Sequence, residues 1–294
     1  MERKALFIIN PISGGKKKDG VPELIEKYLD TKLLKPVIVF SDGVAHATQI
    51  AKEAAGKFGT VVAVGGDGTV NEIASAIVGS NTALGIVPFG SGNGLSRFLH
   101  IPMDTIKAIE NLTKGKTVSI DSGTLNGKAF FNMAGMGFDA HIAEVFSHNK
   151  KRGFISYIKM SLKEVINYKP QVYQLEIDGM HYEREAFMLS FANSSQYGND
   201  AHISPQASVQ DGLIDVCVIK PFPLWRFIEL ATRMMTKTAD KSKYVEIIRG
   251  RQVSVKRTQP GPYHLDGEPQ MGGTEANIEL LPGSLKIIAG NDFI

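Results

Sequence analysis

Cysteine is almost absent from the sequence: Cys217 is the only one among 294 residues, so no intramolecular disulfide can form. Set in Ile214-Asp215-Val216-Cys217-Val218-Ile219, this thiol reads as a small buried hydrophobe. Net charge is also low. A formal +3, with lysines and acids mixed along most of the chain, gives no ground for nucleic-acid binding. No apolar run approaches the ~18 residues that span a bilayer. The stretch over 5–9 is too short for a signal-peptide core, so the expectation is a cytoplasmic protein. Internal repeats, low-complexity tracts, a GxSxG elbow, a CxxC pair and an HExxH helix are all missing. Serine-hydrolase and zinc-enzyme readings therefore have little to stand on.

What is present is the composition of a globular protein, 43% hydrophobic and 21% charged, with length enough for two domains that each have a core. The most informative stretch is the apolar strand Val61-Val62-Ala63-Val64, which enters the turn Gly65-Gly66-Asp67-Gly68 and then a helix from Thr69. Glycines at such a turn allow positive φ and leave backbone N–H groups bare, so an anion can approach at the positive end of the helix. Asp67 repels phosphates unless a cation lies between, which points to a Mg²⁺-nucleotide or to a group that takes a proton. The plain alternative is a glycine turn that only closes a βα unit. Leu84-Gly85-Ile86-Val87-Pro88-Phe89-Gly90-Ser91-Gly92-Asn93 repeats the arrangement, and Ile8-Ile9-Asn10-Pro11-Ile12-Ser13-Gly14-Gly15-Lys16 is a third candidate. Turns at successive strands converge on one end of a parallel sheet.

Strands at 5–9, 37–40, 60–64 and 84–87 alternate with amphipathic helices near 18–30, 44–57, 69–79 and 93–111, the pattern of right-handed crossovers and a parallel sheet. From about 117 strands follow one another, at 118–124, 129–134, 172–177, 187–193 and 213–219, with helices near 139–147, 154–167 and 223–236. This second half reads as largely antiparallel. A short strand closes the chain at 284–289.

Several clusters carry two readings. Lys16-Lys17-Lys18 and His148-Asn149-Lys150-Lys151-Arg152 read as solvated helix ends, or as attraction to nucleotide phosphates and to an anionic membrane. The helix opening at Pro221-Phe222-Pro223-Leu224-Trp225-Arg226 reads as core, with an interfacial segment as the alternative. Ser41 reads as a turn or N-cap residue, or as a nucleotide contact. Gly135-Met136-Gly137-Phe138-Asp139-Ala140 fits GxGxxA but lacks a βαβ context, and Gly115-Lys116-Thr117 lacks the first glycine of a Walker A loop, Glu110 standing there.

As an ordered set these motifs resemble the diacylglycerol kinase catalytic-domain family, whose members include bacterial lipid kinases, sphingosine kinases and ceramide kinases. The marks are Asn10-Pro11 with Ser13-Gly14, GGDGTVNE over 65–72, Pro88 with Gly90-Ser91-Gly92-Asn93, and Asn132-Met133-Ala134-Gly135-Met136-Gly137-Phe138-Asp139. Further marks are Asn193 to Gly198, Ser204-Pro205 leading to Asp211-Gly212-Leu213-Ile214-Asp215-Val216, and Asp266-Gly267-Glu268-Pro269. The set covers nearly the whole chain; one departure is Gly94, where the family often has Asp.

The resemblance implies an α/β plus β fold: a Rossmann-like parallel α/β domain over 1–116, and over 117–294 a mainly antiparallel β-sandwich whose C-terminal end returns to the first domain. It implies an ATP-dependent lipid kinase of phospholipid metabolism, acting on diacylglycerol by default, cytoplasmic and peripheral to the membrane when active. ATP would be held by Asn10, Ser41, Gly65, Gly66, Asp67 and Gly68, and by Thr69, Val70, Asn71, Ser91 and Asn93, with Glu72 in support. Glu268 would accept the proton of the alcohol, while Asp67 organises the catalytic Mg²⁺ and could share the base role. A second, structural Mg²⁺ would sit on Asp211 and the carbonyls of Ser208 and Leu213. By composition alone Asp211 is simply a hairpin turn. A sphingoid-base kinase, an NAD kinase and a non-catalytic lipid- or nucleotide-binding regulator are the alternatives, and a homodimer is left open.

Overall fold

The computed structural model describes residues 4–13, 17–43, 45–147 and 154–293, with backbone alone for 154–158. The 148–152 basic cluster and Gly14, Gly15 and Lys16 thus lie outside the described residues. The chain divides into two compact units, Met1–Ile120 with Gly283–Ile294, and Asp121–Pro282.

The first unit alternates β1 (Lys4–Ile9), α1 (Val21–Tyr28), β2 (Lys35–Phe40), α2 (His46–Ala54), β3 (Thr60–Gly65), α3 (Asp67–Ile77), β4 (Ala83–Pro88), α4 (Gly94–Phe98) and α5 (Thr105–Lys114). Its sheet runs β2-β1-β3-β4, all parallel. β3 and β4 are buried at every residue, as strands covered on both faces must be. Phe7, Ile9, Val62, Val64 and Val87 pack with Ile25 of α1 and Ile109 of α5. The expected helix over 93–111 is two helices. Pro102 interrupts it, and Asp104 then caps α5 by accepting the Lys107 N–H at 3.0 Å.

From there β5 (Lys116–Leu125), β6 (Lys128–Phe130), β7 (Met133–Gly137), α6 (Phe138–Ser147), α7 (Phe154–Glu164), β8 (Gln171–Ile177), β9 (Met180–Ala186), β10 (Met188–Ala192) and β11 (Ile214–Ile219) follow. Next come α8 (Phe227–Met235), β12 (Val245–Gly250), β13 (Gln252–Arg257), β14 (Gly261–Leu265), β15 (Glu268–Gly272) and β16 (Glu275–Ala289). The expected 284–289 strand is the end of this 15-residue β16. There Lys286 and Ile287 lie parallel to Ala83 and Leu84 of β4.

The second unit contains two sheets. One carries the order β16-β13-β8-β9, with β5 beside β16 and β6 beside β5; the other runs β12-β11-β10-β7-β14-β15. Tyr173, Leu175, Val253 and Ile278 of the first interleave with Met136, Leu189, Phe191 and Val216 of the second in one core, a β-sandwich. On the outer face of the second sheet, Phe138 and Ile142 of α6 and Leu230 of α8 pack over Met133, Met188, Cys217 and Ile219. Cys217 is buried, and burial pushes its thiol pKa up, as a small core residue requires. The single strand expected over 129–134 is broken into β6 and β7, because the Asp266 carboxylate takes the N–H groups of Phe131, Asn132 and Met133. Among the described residues no helix is long and apolar enough to cross a membrane.

Candidate active site

The carboxyl ends of the parallel strands bring the expected nucleotide residues of the first unit together. Asn10 follows β1 and donates from its backbone to Val64 O at 3.2 Å; Ser41 follows β2 and donates to Ile9 O at 2.9 Å. Phe89 follows β4 and donates to Gly65 O at 2.7 Å. β1 is flanked by β2 on one side and β3 on the other, so this edge holds the point where chain direction across the sheet reverses, the place where open α/β sheets bind ligands. Asn10 Nδ2 donates to Thr69 Oγ1 at 3.2 Å, tying the first turn to the start of α3.

The glycines work here through close approach. Gly66 has φ −92°, and Gly65 and Gly68 are not among the positive-φ residues, which corrects the expectation of positive φ. A Cβ on Gly65 would lie 2.6 Å from Thr69 Cβ. A Cβ on Gly90 would lie 2.9 Å from Gly66 Cα and 2.5 Å from Asn93 Oδ1. The two turns touch backbone to backbone, and any side chain would part them. The positive φ in the second loop belongs to Asn93, at 52°, whose Nδ2 donates to Gly90 O at 2.8 Å.

α3 begins at Asp67, so Asn71 and Glu72 stand in its second turn, not its first. The Asp67 carboxylate accepts the N–H of Asn93 at 2.9 Å and of Gly94 at 3.1 Å, capping α4 and pinning the second loop to the first. Val70 is buried and its N–H is taken by Gly66 O at 3.0 Å, while Ser91 is exposed at the loop tip. Asn71 accepts from Ser75 within α3 at 3.4 Å. Ser41 caps no helix: it is buried, and Ala45 precedes α2. Lys18, read as part of a solvated helix end, is only 1% exposed. Its ammonium hydrogen-bonds Ser13 O and stands 5.1 Å from the Phe89 ring centroid, and burial lowers its pKa. It is a cation set under the first turn, which the lysine run did not single out.

In the second unit Glu268 opens β15 behind the two-residue turn Asp266-Gly267, both with positive φ (49° and 88°), the hairpin conformation that Asp-Gly favours. Glu268 is exposed. Below the turn lies a buried polar network that the motifs contained but did not explain. Asp139 Oδ2 accepts from His264 Nε2 at 3.0 Å and Tyr197 OH at 2.9 Å, and Ser190 Oγ reaches it at 3.3 Å. Asp139 Oδ1 accepts the Ala140 N–H at 2.8 Å. Gly267 N donates to His264 Nδ1 at 3.3 Å, which places the ring proton on Nε2, facing Asp139. Burial, then the Asp139 charge, hold the Tyr197 phenol well above its ordinary pKa, so it remains a donor. Asp139 and His264 also fill the space beside Gly135, where a Cβ would lie 2.2 Å from Asp139 Oδ2; the GxGxxA stretch is thus a packing site.

Asp211 is exposed and accepts the Leu213 N–H at 3.0 Å, with Ser208 three residues upstream. The neighbouring Gly212 N donates to the buried Asp121 at 2.8 Å, and Asp121 N to Val209 O at 2.6 Å, so Asp121 braces this turn. Among the described residues no three His, Cys, Asp or Glu side chains gather as a metal group. A carboxylate with backbone carbonyls and waters is the class of hard-oxygen donor that Mg²⁺ accepts.

The family comparisons fall on both units. The diacylglycerol kinase catalytic domain matches residues 4–125, and the YegS C-terminal NAD kinase beta sandwich-like domain matches residues 132–289. The chain is 32% identical over 234 residues to a Klebsiella pneumoniae protein named "Probable lipid kinase YegS-like", covering 77% of this chain and 76% of that one. It is 29% identical over 294 residues to the diacylglycerol kinase of Bacillus subtilis, covering 96% and 92%. The fold is similar to the crystal structure of a diacylglycerol kinase from Bacillus anthracis str. Sterne, with TM-score 0.77, 21% identity and coverage of 100% and 98%. With both domains matched in order and the fold shared end to end, the chain belongs to the lipid kinase family of the diacylglycerol kinases and YegS.

Proposed function

We propose that the protein transfers the γ-phosphate of Mg²⁺-ATP to the hydroxyl of a lipid alcohol, with diacylglycerol as the default acceptor. The observation that carries this reading is the meeting of Asn10, Ser41, Gly65-Gly66 and Gly90 at one edge of the parallel sheet, with two turns in backbone contact. A chain of triphosphate oxygens can lie against such bare backbone at the start of α3. In this proposal Gly65, Gly66, Gly68 and Thr69 hold the phosphates, and Ser41, Asn71, Ser91 and Asn93 contact the nucleotide. Asp67 has hard oxygen donors for Mg²⁺, which when bound supplies neutralising charge. Lys18 adds a buried positive charge behind the first turn.

Glu268 takes the proton of the alcohol as its oxygen forms a bond to the γ-phosphorus, while the bond from that phosphorus to the β,γ-bridging oxygen breaks and ADP leaves. Asp211, with the carbonyls of Ser208 and Leu213, holds a second Mg²⁺ that braces the turn. The protein works at a membrane surface from the cytoplasm. The test is incubation of the purified chain with γ-labelled ATP and diacylglycerol, monoacylglycerol, sphingosine, ceramide or NAD in turn, with identification of the labelled product. Labelled phosphatidic acid is expected. Label on NAD alone, or on none of the five, overturns the proposal.

A further inference from the structure

The outer face of α8 is apolar, and the only tryptophan stands in the turn just before it. Leu224 and Trp225, in a 3-10 turn (Leu224–Arg226), and Ile228 and Met235 of α8 are 51%, 69%, 71% and 47% exposed. Positions 224, 228 and 235 share one side of the segment, and Ala231 and Thr232, also exposed there, leave it without charge. The opposite side is already used: Leu230, Phe227 and Met234 pack on the cluster that holds Phe138 and Cys217. The core reading of this segment therefore accounts for one of its two apolar faces and leaves Trp225 outside it.

Charge identifies what covers the other face. Residues 220–243 hold six Lys or Arg against two acids, a net +4 that exceeds the +3 of the entire chain. Of the two acids, Glu229 is bound by Arg226 and, at 3.1 Å, by Arg233, and these hold its carboxyl below the usual range, Arg226 foremost. The Arg226 guanidinium lies 4.0 Å from the Trp225 ring centroid. A second copy of the chain would bring +4 against +4 across a two-fold interface, which argues against self-association. An uncharged apolar strip with a Trp–Arg pair, in a segment with an excess of cations, matches the headgroup level of an anionic bilayer.

We propose that this face of α8 and the turn before it docks on anionic membrane, seating Leu224, Trp225 and Ile228 among the headgroups. The inference rests on the lipid-kinase reading for its purpose, but its test needs no catalysis. Because Trp225 is the only tryptophan, its emission reports the contact directly. The full chain, without nucleotide, is titrated with phosphatidylcholine vesicles with and without phosphatidylglycerol. A blue shift of the emission and co-sedimentation are expected with the anionic vesicles alone, both weakened by salt. Ile228→Glu puts a charge where an apolar side chain must be buried, so it should lower vesicle affinity at least ~10-fold with unchanged melting temperature. Turnover of a water-soluble short-chain acceptor should stay within about two-fold.

Unchanged emission with no co-sedimentation overturns the docking face, as does equal binding by Ile228→Glu. A concentration-dependent dimer that Ile228→Glu disperses overturns it in favour of a self-interface. Vesicle binding in a protein that phosphorylates no lipid would uphold the docking face and sink the kinase reading instead.

Discussion

Replacing Asp139 separates a hydrogen-bond network from mere packing. Its two oxygens receive His264, Tyr197 and Ser190 on one side and Ala140 N–H on the other, in a site only 5% exposed. Asp139→Asn keeps the shape, but one oxygen becomes an NH₂ group. If that group faces His264 and Tyr197, several donors collide; if it turns toward Ala140, one N–H meets another. The second orientation is cheaper, and one stranded buried donor costs about 1–3 kcal/mol. Asp139→Ala removes every acceptor. Ser190 and Tyr197 can bond one another, but His264 Nε2 and Ala140 N remain stranded, so about 3–5 kcal/mol is expected. At roughly 2–4 °C per kcal/mol for a unit of this size, the melting temperature falls by about 2–12 °C for Asn, and by more for Ala. Urea titration and thermal melting followed by circular dichroism measure both. The network is refuted if both variants lie within ~0.5 kcal/mol of wild type, or if Ala costs no more than Asn.

Other outcomes follow from the same geometry. Glu268→Gln should bind ATP normally and transfer phosphate about 10² to 10⁴ times more slowly; Asp67→Asn should differ by a shifted Mg²⁺ dependence, and near wild-type kcat in Glu268→Gln would remove Glu268 as the base. Asp211→Ala should melt lower and lose the Mg²⁺-dependent part of stability, so identical melting with wild type in chelator and in Mg²⁺ excludes a metal there. Glu246, bonded to Arg184 at 2.8 Å and to Lys220 at 2.9 Å, has its pKa lowered from 4.5 to about 2, chiefly by Arg184. Its stabilisation is present above the unfolded pKa near 4.5 and disappears as pH falls through about 2. Glu246→Gln should cost on the order of 1 kcal/mol at pH 7 after solvent screening, the gap closing toward pH 2; a pH-independent gap would show a packing effect instead.

The parallel half of the fold is legible because its strands are apolar runs ended by turn residues, as at Val61-Val62-Ala63-Val64-Gly65. β12 to β15 were not read. Their residues alternate or stay partly exposed, as in Gln252–Arg257, where buried residues alternate with exposed and half-buried ones and a short local run carries little signal. The split between β6 and β7 depends on Asp266, more than 130 residues away, and nothing local announces it. At the site, the glycine turns are visible as spacing. The reason for Gly66 is not, since it depends on Gly90 of another loop. Lys18 and Trp225 each carry two readings for a common reason: composition gives only the average habit of a lysine run and of an apolar helix. Only the tertiary surroundings show that Lys18 is inside and Trp225 outside.

The central claim is tested most directly by double labelling. ATP labelled at the α- or the γ-phosphorus is incubated with diacylglycerol vesicles, and with wild type or Gly66→Asp, whose side chain would enter the space beside Gly90. The account predicts γ-label in the lipid phase, α-label retained in water as ADP, and neither transfer nor ATP binding in a Gly66→Asp protein that keeps its circular dichroism. Lipid labelling by folded Gly66→Asp at the wild-type rate, or release of γ-label only as free phosphate by wild type with every lipid alcohol offered, would contradict it.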